Sequence, residues 1–218
     1  SQKKLIIFDV GANQGQSIER FLKIFPNCEI HSFEPINEEF QNIKEKYQAN
    51  KKIKINNFAL GDVSETKILH IAKRTGVSSF FKINLNTKWL RERSRQYNVE
   101  EKNFQNKTQT TTIKTIDDYV YENKIDRINI LKIDTQGYEV KVLAGARKTI
   151  ESDILDSIET EIMFDDVYET YLTFTDLEKN MNSNFRFSGI KTYNNNLFEG
   201  INFFAEVLYI NKKKLIKY

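Results

Sequence analysis

The chain has 218 residues, enough for one sizeable α/β domain with its own core, and its charged residues, 29% of the total, nearly cancel to a formal +3. A surplus that small argues against the tracking of duplex phosphates, and one cysteine, Cys28, excludes an internal disulfide and a cysteine-built zinc site. A mean hydropathy of −0.56, with no apolar run of about 18 residues, reads as a soluble, cytoplasmic chain with no membrane span.

In chain order, Leu5–Val10 reads as a strand, Gln16–Phe25 as a helix, Glu29–Phe33 as a strand and Asn37–Ala49 as a helix. Lys52–Leu60 reads as a third strand and Lys67–Ala72 as a short extra one, while Asn84–Lys107 is long and polar. Further on, Asn129–Ile133 reads as a strand, Tyr138–Ile150 as a helix and Ser157–Met163 as a strand. Short strands alternating with helices imply βαβ units in a mostly parallel, doubly wound Rossmann-like sheet covered on both faces. Phe185–Tyr193 and Asn202–Ile210, joined by Asn194–Asn196, read as an antiparallel hairpin at the C-terminal edge. Nothing marks a domain boundary, so 1–218 is expected to be a single domain. Segment 84–107 is its insert or lid, with six basic against three acidic residues.

Ligands of a doubly wound sheet sit beyond the carboxyl ends of its strands, where strand order reverses. The first strand ends in "DVGANQGQS". Gly11 permits a tight turn there, and Gly15 removes a side chain where a ligand and the next helix approach. The spacing Asp9-x-Gly11-x-x-x-Gly15 differs from the G-x-G-x-x-G of a dinucleotide site. A carboxylate in that place repels pyrophosphate and attracts an ammonium or sulfonium. The second strand ends in "HSFEP", which puts Glu34 where an acid accepts from two ribose hydroxyls. A nucleoside with a cationic amino-acid tail, S-adenosylmethionine, satisfies both ends.

"FDVGANQGQS", "SFEPINEEF", "NFALGD", "TTIKTIDDYV", "ILKIDTQGYEVKVLAGA" and "SIETEIMF", in that order, resemble the FkbM family of methyltransferases from about Ile6 to Phe164. The resemblance implies a class I S-adenosylmethionine-dependent fold that transfers methyl to a hydroxyl of a sugar, glycan or polyketide-type product. It also implies that Asp9, Gly11, Ala12, Asn13, Gly15 and Ser17 line the methionine end of the cofactor. Glu34 and Pro35 then hold the ribose, Ala59 and Leu60 lie near the adenine, and Ser79 in "GVSSF" sits beside the site. Gln136, in "IDTQGYE", stands where the family more often has Glu.

For the chemistry, Asp134 arrives at the same sheet edge as Asp9 and Glu34 and is the first candidate for the base or for orienting the acceptor and cofactor. Glu139 opens the following helix, where a carboxylate also suits the helix dipole. Glu161 alternates with Glu159 on one strand face and completes the candidate catalytic set; carboxylates alone are compatible with Mg²⁺, but no metal is assigned. Trp89 in the insert offers a flat face to a sugar ring, and Arg91, Arg93 and Arg95 offer charge to a phosphate or carboxylate, so the expected partner is a sugar or glycan acceptor, nucleotide- or phosphate-linked forms included. No Asn-Pro-Pro-Tyr-like run follows the fourth strand, which argues against methylation of a base amine and, with the charge balance, against a nucleic-acid partner. Two other readings stay open: a nicotinamide-dependent oxidoreductase or epimerase, weakened by the missing glycine motif and Tyr-x-x-x-Lys pair, and a non-catalytic cofactor-binding module.

Overall fold

The computed structural model describes residues 4–164, 166–170, 172–193 and 203–215. Its main sheet contains β1 (Ile6–Val10), β2 (Glu29–Phe33), β3 (Ile53–Asn56), β7 (Ile130–Ile133), β8 (Ser157–Met163), β9 (Phe185–Tyr193) and β10 (Phe204–Asn211). Their order is β3-β2-β1-β7-β8-β10-β9, so strand order reverses between β1 and β7. The pairs from β3 through β8 are parallel, while β10 is antiparallel to both β8 and β9. The C-terminal hairpin therefore lies at the expected edge, with β10 as its reversed strand and β9 outermost. Its Asn194–Asn196 turn falls outside the described residues.

Two packed layers cover this sheet. Phe8 and Val10 point into one core with Phe33, Leu131, Ile133 and Ile158, whereas Ile7 points into the other with Ile18, Phe21 and Ile30. The period-two alternation of β1 thus feeds both faces, as a buried parallel strand must. Helix α1 (Gln16–Ile24) buries Ile18 and Phe21 on one side, and α2 (Asn37–Tyr47) packs beside β3. Cys28 is a buried member of this second core, where burial pushes its thiol up.

Three elements depart from the sequence reading. The expected strand 52–60 is two: β3 ends at Asn56, and β4 (Ala59–Leu60) joins a separate sheet of order β4-β6-β5 with β5 (Glu65–Ile71) and β6 (Lys107–Lys114). Side chains of Asn56 and Asn57 donate to the carbonyls of Ser32 and Glu34, which holds the chain as it leaves the main sheet. The expected helix 138–150 is α5 (Glu139–Ala144) and α6 (Arg147–Glu151), preceded in the chain by α4 (Ile116–Glu122). A Cβ at Gly145 would lie 1.9 Å from the Gly61 carbonyl oxygen, and Asp117 of α4 caps α6 by accepting from the amides of Lys148 and Thr149.

The third is the insert, which folds. Thr87 accepts from the Leu90 amide at 3.1 Å to open α3 (Lys88–Gln96), and a short 3₁₀ turn, Glu101–Asn103, follows. Trp89, Leu90 and Phe104 bury themselves with Ala72, Ile83, Tyr168 and Phe203 in a third core. A charged helix docked on the core by Trp89 is one of the two arrangements this stretch allows, and the structure shows it.

Candidate functional site

The loop after β1 takes left-handed backbone at Gly11, Asn13 and Gly15. At Gly11 a Cβ would meet the Asp134 carbonyl oxygen at 1.9 Å, so glycine is what lets the ends of β1 and β7 come together. The amides of Gly11 and Ala12 donate to the Phe33 carbonyl, which ties the loop to β2. Gly15, with φ +83°, turns the chain into α1, whose N-terminus no side chain caps. A Cβ there would press on Ile43 and Tyr47 of α2, so the bare position serves helix packing.

Glu34 sits at the end of β2, 3% exposed, and accepts from the Asn13 amide through Oε2 and the Ile36 amide through Oε1, both at 2.7 Å. Burial pushes its carboxyl up to about 7, although those amides pull it down. Each oxygen keeps a further acceptor position. The turn Thr75–Val77 lies against the β1 loop: Asn13 donates to Thr75 Oγ1, which donates to Glu39 Oε1.

The expected role of Asp9 changes. It is fully buried, accepts from Ser32 Oγ at 3.2 Å, and lies 3.3 Å from Lys132 Nζ. Its carboxylate is walled off behind the loop, where it balances a lysine instead of facing a ligand. Lys132 also donates to the Gly11 carbonyl and lies 3.6 Å from Asp134 Oδ2. Burial alone would lower this ammonium, but Asp9 and Asp134 outweigh it and hold it raised. Sequence reading passed over Lys132, although a lysine inside the apolar run "ILKI" is itself a signal of buried charge.

Beyond β7, Gln136 and Gly137 both adopt left-handed backbone. That kink lets the Gln136 side-chain amide donate to Asp134 Oδ1 at 2.9 Å and Glu161 Oε2 at 2.8 Å. Burial and the charges of Asp134 and Glu139 raise Glu161 well above the carboxylate range. Ser79 Oγ donates to the Gln136 carbonyl, fixing the kink, and Tyr168 Oη lies 3.3 Å from Gln136 Oε1.

Glu34, Lys132, Asp134, Gln136, Glu161 and Ser79 border one cavity of about 910 Å³, large enough for a nucleoside and a second molecule. Of the residues expected to bind cofactor, Gly11, Ala12, Asn13, Ser17, Glu34, Pro35, Ala59, Leu60, Ser79 and Asp134 line it; Asp9 and Gly15 stand behind it. Glu161, Trp89 and Arg93 line it too, while Arg91 points to solvent. Arg20 paired with Glu159, and Glu206 accepting from Tyr193, complete its far side; Arg20, Glu206 and Tyr193 were absent from the sequence reading. Neither histidine borders the cavity: His31 is buried between Tyr119 and Glu29, and His70 bridges to Ser79.

Glu139 is separated from the cavity. It accepts from the Thr135 amide at 2.7 Å and borders a second, smaller void. Burial pushes it up to about 7. Unfolded, a glutamate titrates near about 4.3, so between those values the folded chain binds more protons than the unfolded one. Stability from this group is therefore full below about pH 4.3 and is lost as pH rises through 7, a swing of about 3–4 kcal/mol at most. Melting curves from pH 5 to 7.5 should show the parent losing more Tm than Glu139→Gln; parallel losses would contradict the assignment.

The chemistry of the cavity fits S-adenosylmethionine. Glu34 presents a carboxylate suited to a ribose diol, Ala59 and Leu60 an apolar surface suited to a purine, and the uncapped start of α1 suits a carboxylate. Comparison with known proteins agrees with this chemistry. The family model described as "Methyltransferase FkbM domain" matches residues 9–188. The 2-O-methyltransferase NoeI of Sinorhizobium fredii (strain NBRC 101917 / NGR234) is 23% identical over 167 residues, 77% of this chain and 67% of that protein. The solved structure of the methyltransferase FkbM from Methylobacillus flagellatus KT superposes with a TM-score of 0.60 at 14% identity. That match covers 95% of this chain but 43% of the other, so this chain spans less than half of its length. An rRNA methylase from Streptococcus thermophilus shares the fold at a TM-score of 0.50 and 9% identity, over 95% of this chain and 88% of its own.

Proposed function

The chain belongs to the FkbM family of methyltransferases, and on that premise we propose that it is an S-adenosylmethionine-dependent O-methyltransferase acting on a hydroxyl of a sugar, glycan or glycosylated metabolite. The observation that carries this reading is the bridge Asp134–Gln136–Glu161 standing in the same cavity as Glu34. The relative that methylates a 2-oxygen supports oxygen as the target.

The donor supplies a methyl group on a sulfonium, a leaving group that needs no activation. What remains for the protein is alignment and proton removal. Holding both reactants in register contributes up to about 7–11 kcal/mol in favourable cases. Asp134 takes the acceptor's hydroxyl proton at Oδ2, the oxygen that Gln136 leaves free and that faces the Lys132 ammonium. Glu161, fixed by the same Gln136 amide, accepts a hydrogen bond from the sugar and orients it.

Trp89 forms part of the acceptor wall, stacked on Phe203 with 3° between the ring planes and set edge-on to Phe104. Methyl transfer should be assayed against a panel of hydroxylated glycans and nucleotide sugars, reading the S-adenosylhomocysteine released. Turnover is expected on at least one, with Trp89→Phe raising its KM severalfold and leaving donor affinity unchanged. An unchanged KM would remove the insert from acceptor recognition.

A further inference from the structure

One part of the cavity lining carries three cations that form no ion pair with a described carboxylate. Lys73 and Arg74 follow β5, and Arg93 projects from α3 beside Trp89. Two contacts lock these segments together. The Lys73 amide donates to the Phe104 carbonyl at 2.7 Å, and Ala72 shares a core with Trp89, Leu90 and Phe104. Thr75, next along, is fixed by Asn13 and Glu39. The three cations are thus presented from anchored backbone.

None of the three has a carboxylate partner among the described residues, whereas two other cavity cations do: Arg20 pairs with Glu159 and Lys132 with Asp9. Arg93 is the informative member. Its Nη1 donates to Gln96 at 2.7 Å, but its Nε is buried and has no acceptor. Burial, and then the neighbouring charge of Arg74, lower its guanidinium. With that Nε sealed inside and Nη1 held by Gln96, the part of the Arg93 guanidinium that lines the cavity stands beside the like charges of Arg74 and Lys73, all without a carboxylate. A phosphate relieves that repulsion by accepting charge-assisted hydrogen bonds from such cations.

We propose that Lys73, Arg74 and Arg93 form an anion subsite beside Trp89, and that the acceptor carries a phosphate or pyrophosphate on the same molecule as the hydroxyl to be methylated. This rests on the methyl-transfer reading of the cavity and narrows its acceptors to phosphorylated or nucleotide-linked sugars. A second source of anion is the carboxylate of the methyl donor, and the test separates the two.

Pyrophosphate is titrated calorimetrically into the full chain, with and without saturating S-adenosylhomocysteine, for the parent, Arg74→Gln/Arg93→Gln and Lys73→Gln. The parent is expected to bind one pyrophosphate saturably, and the double variant to lose about tenfold or more of that affinity, as for charge-assisted hydrogen bonds. Lys73→Gln, at an exposed position with no folding cost, is expected to lose about threefold. S-adenosylhomocysteine affinity should stay within about twofold of the parent in both, since these cations then make no contact with the donor. Absent pyrophosphate binding, or equal binding by parent and variants, would overturn the subsite. A fall in S-adenosylhomocysteine affinity would overturn it as well, by assigning the arginines to the donor's carboxylate. Failure of the parent to bind S-adenosylhomocysteine strikes the methyltransferase reading separately, since the arm without it reads the subsite alone.

Discussion

Lys132→Met is expected to destabilise the protein by about 3–5 kcal/mol, because it leaves a buried charge without its partner. Asp9 is fully buried in β1 and accepts a hydrogen bond from Ser32 at 3.2 Å. The ammonium 3.3 Å away is its counter-charge. Methionine fills the volume of the lysine stem, so packing changes little and the loss is electrostatic. Pairing Lys132→Met with Asp9→Asn removes the stranded charge and should recover most of the stability. Urea midpoints of the parent, the single and the double variant check this. A loss under about 1 kcal/mol in the single variant would mean that Asp9 finds solvent or a proton instead.

Asp134→Asn is expected to lower kcat by about 10²–10⁴-fold, the usual contribution of a positioned base. Asparagine keeps the shape of the group at the end of β7 and removes its capacity to take a proton. Because Gln136 donates to Asp134 Oδ1 and to Glu161, the substitution leaves Glu161 tied in place. Because Asp134 also borders the donor's part of the cavity, single-turnover rates at saturating donor report the chemical defect apart from any loss of donor affinity. A kcat within about threefold of the parent would move the base to another carboxylate of the cavity.

Much of the scaffold was legible. The largely apolar runs of β1 and β7 sit in a sheet covered on both faces, where hydrophobic sequence and strand coincide. Gly11 and Glu34 were readable because a strand end followed by glycine, and a second strand end followed by an acid, name positions in such a fold. Other parts were hidden for identifiable reasons. The sequence KTQTTTIK of β6 buries Thr111 and Ile113 alone among its first seven residues, which leaves little apolar periodicity to detect. The break between α5 and α6 depends on Gly145 meeting Gly61, a contact across 84 positions of chain. Asp9 read as a ligand-facing acid because its partner, Lys132, is on another strand. Trp89, alone with Leu90 in a charged stretch, suggested a docked helix as readily as a sugar platform, and the third core shows what the two pack against.

The central claim, that the cavity beyond β1 and β2 holds a nucleoside through Glu34, is tested most directly by calorimetric titration with S-adenosylhomocysteine of the parent and Glu34→Ala. Micromolar binding by the parent is expected, weakened about tenfold or more in the variant, as for the loss of hydrogen bonds to a charged group. No binding by the parent, or equal binding by both, would contradict it.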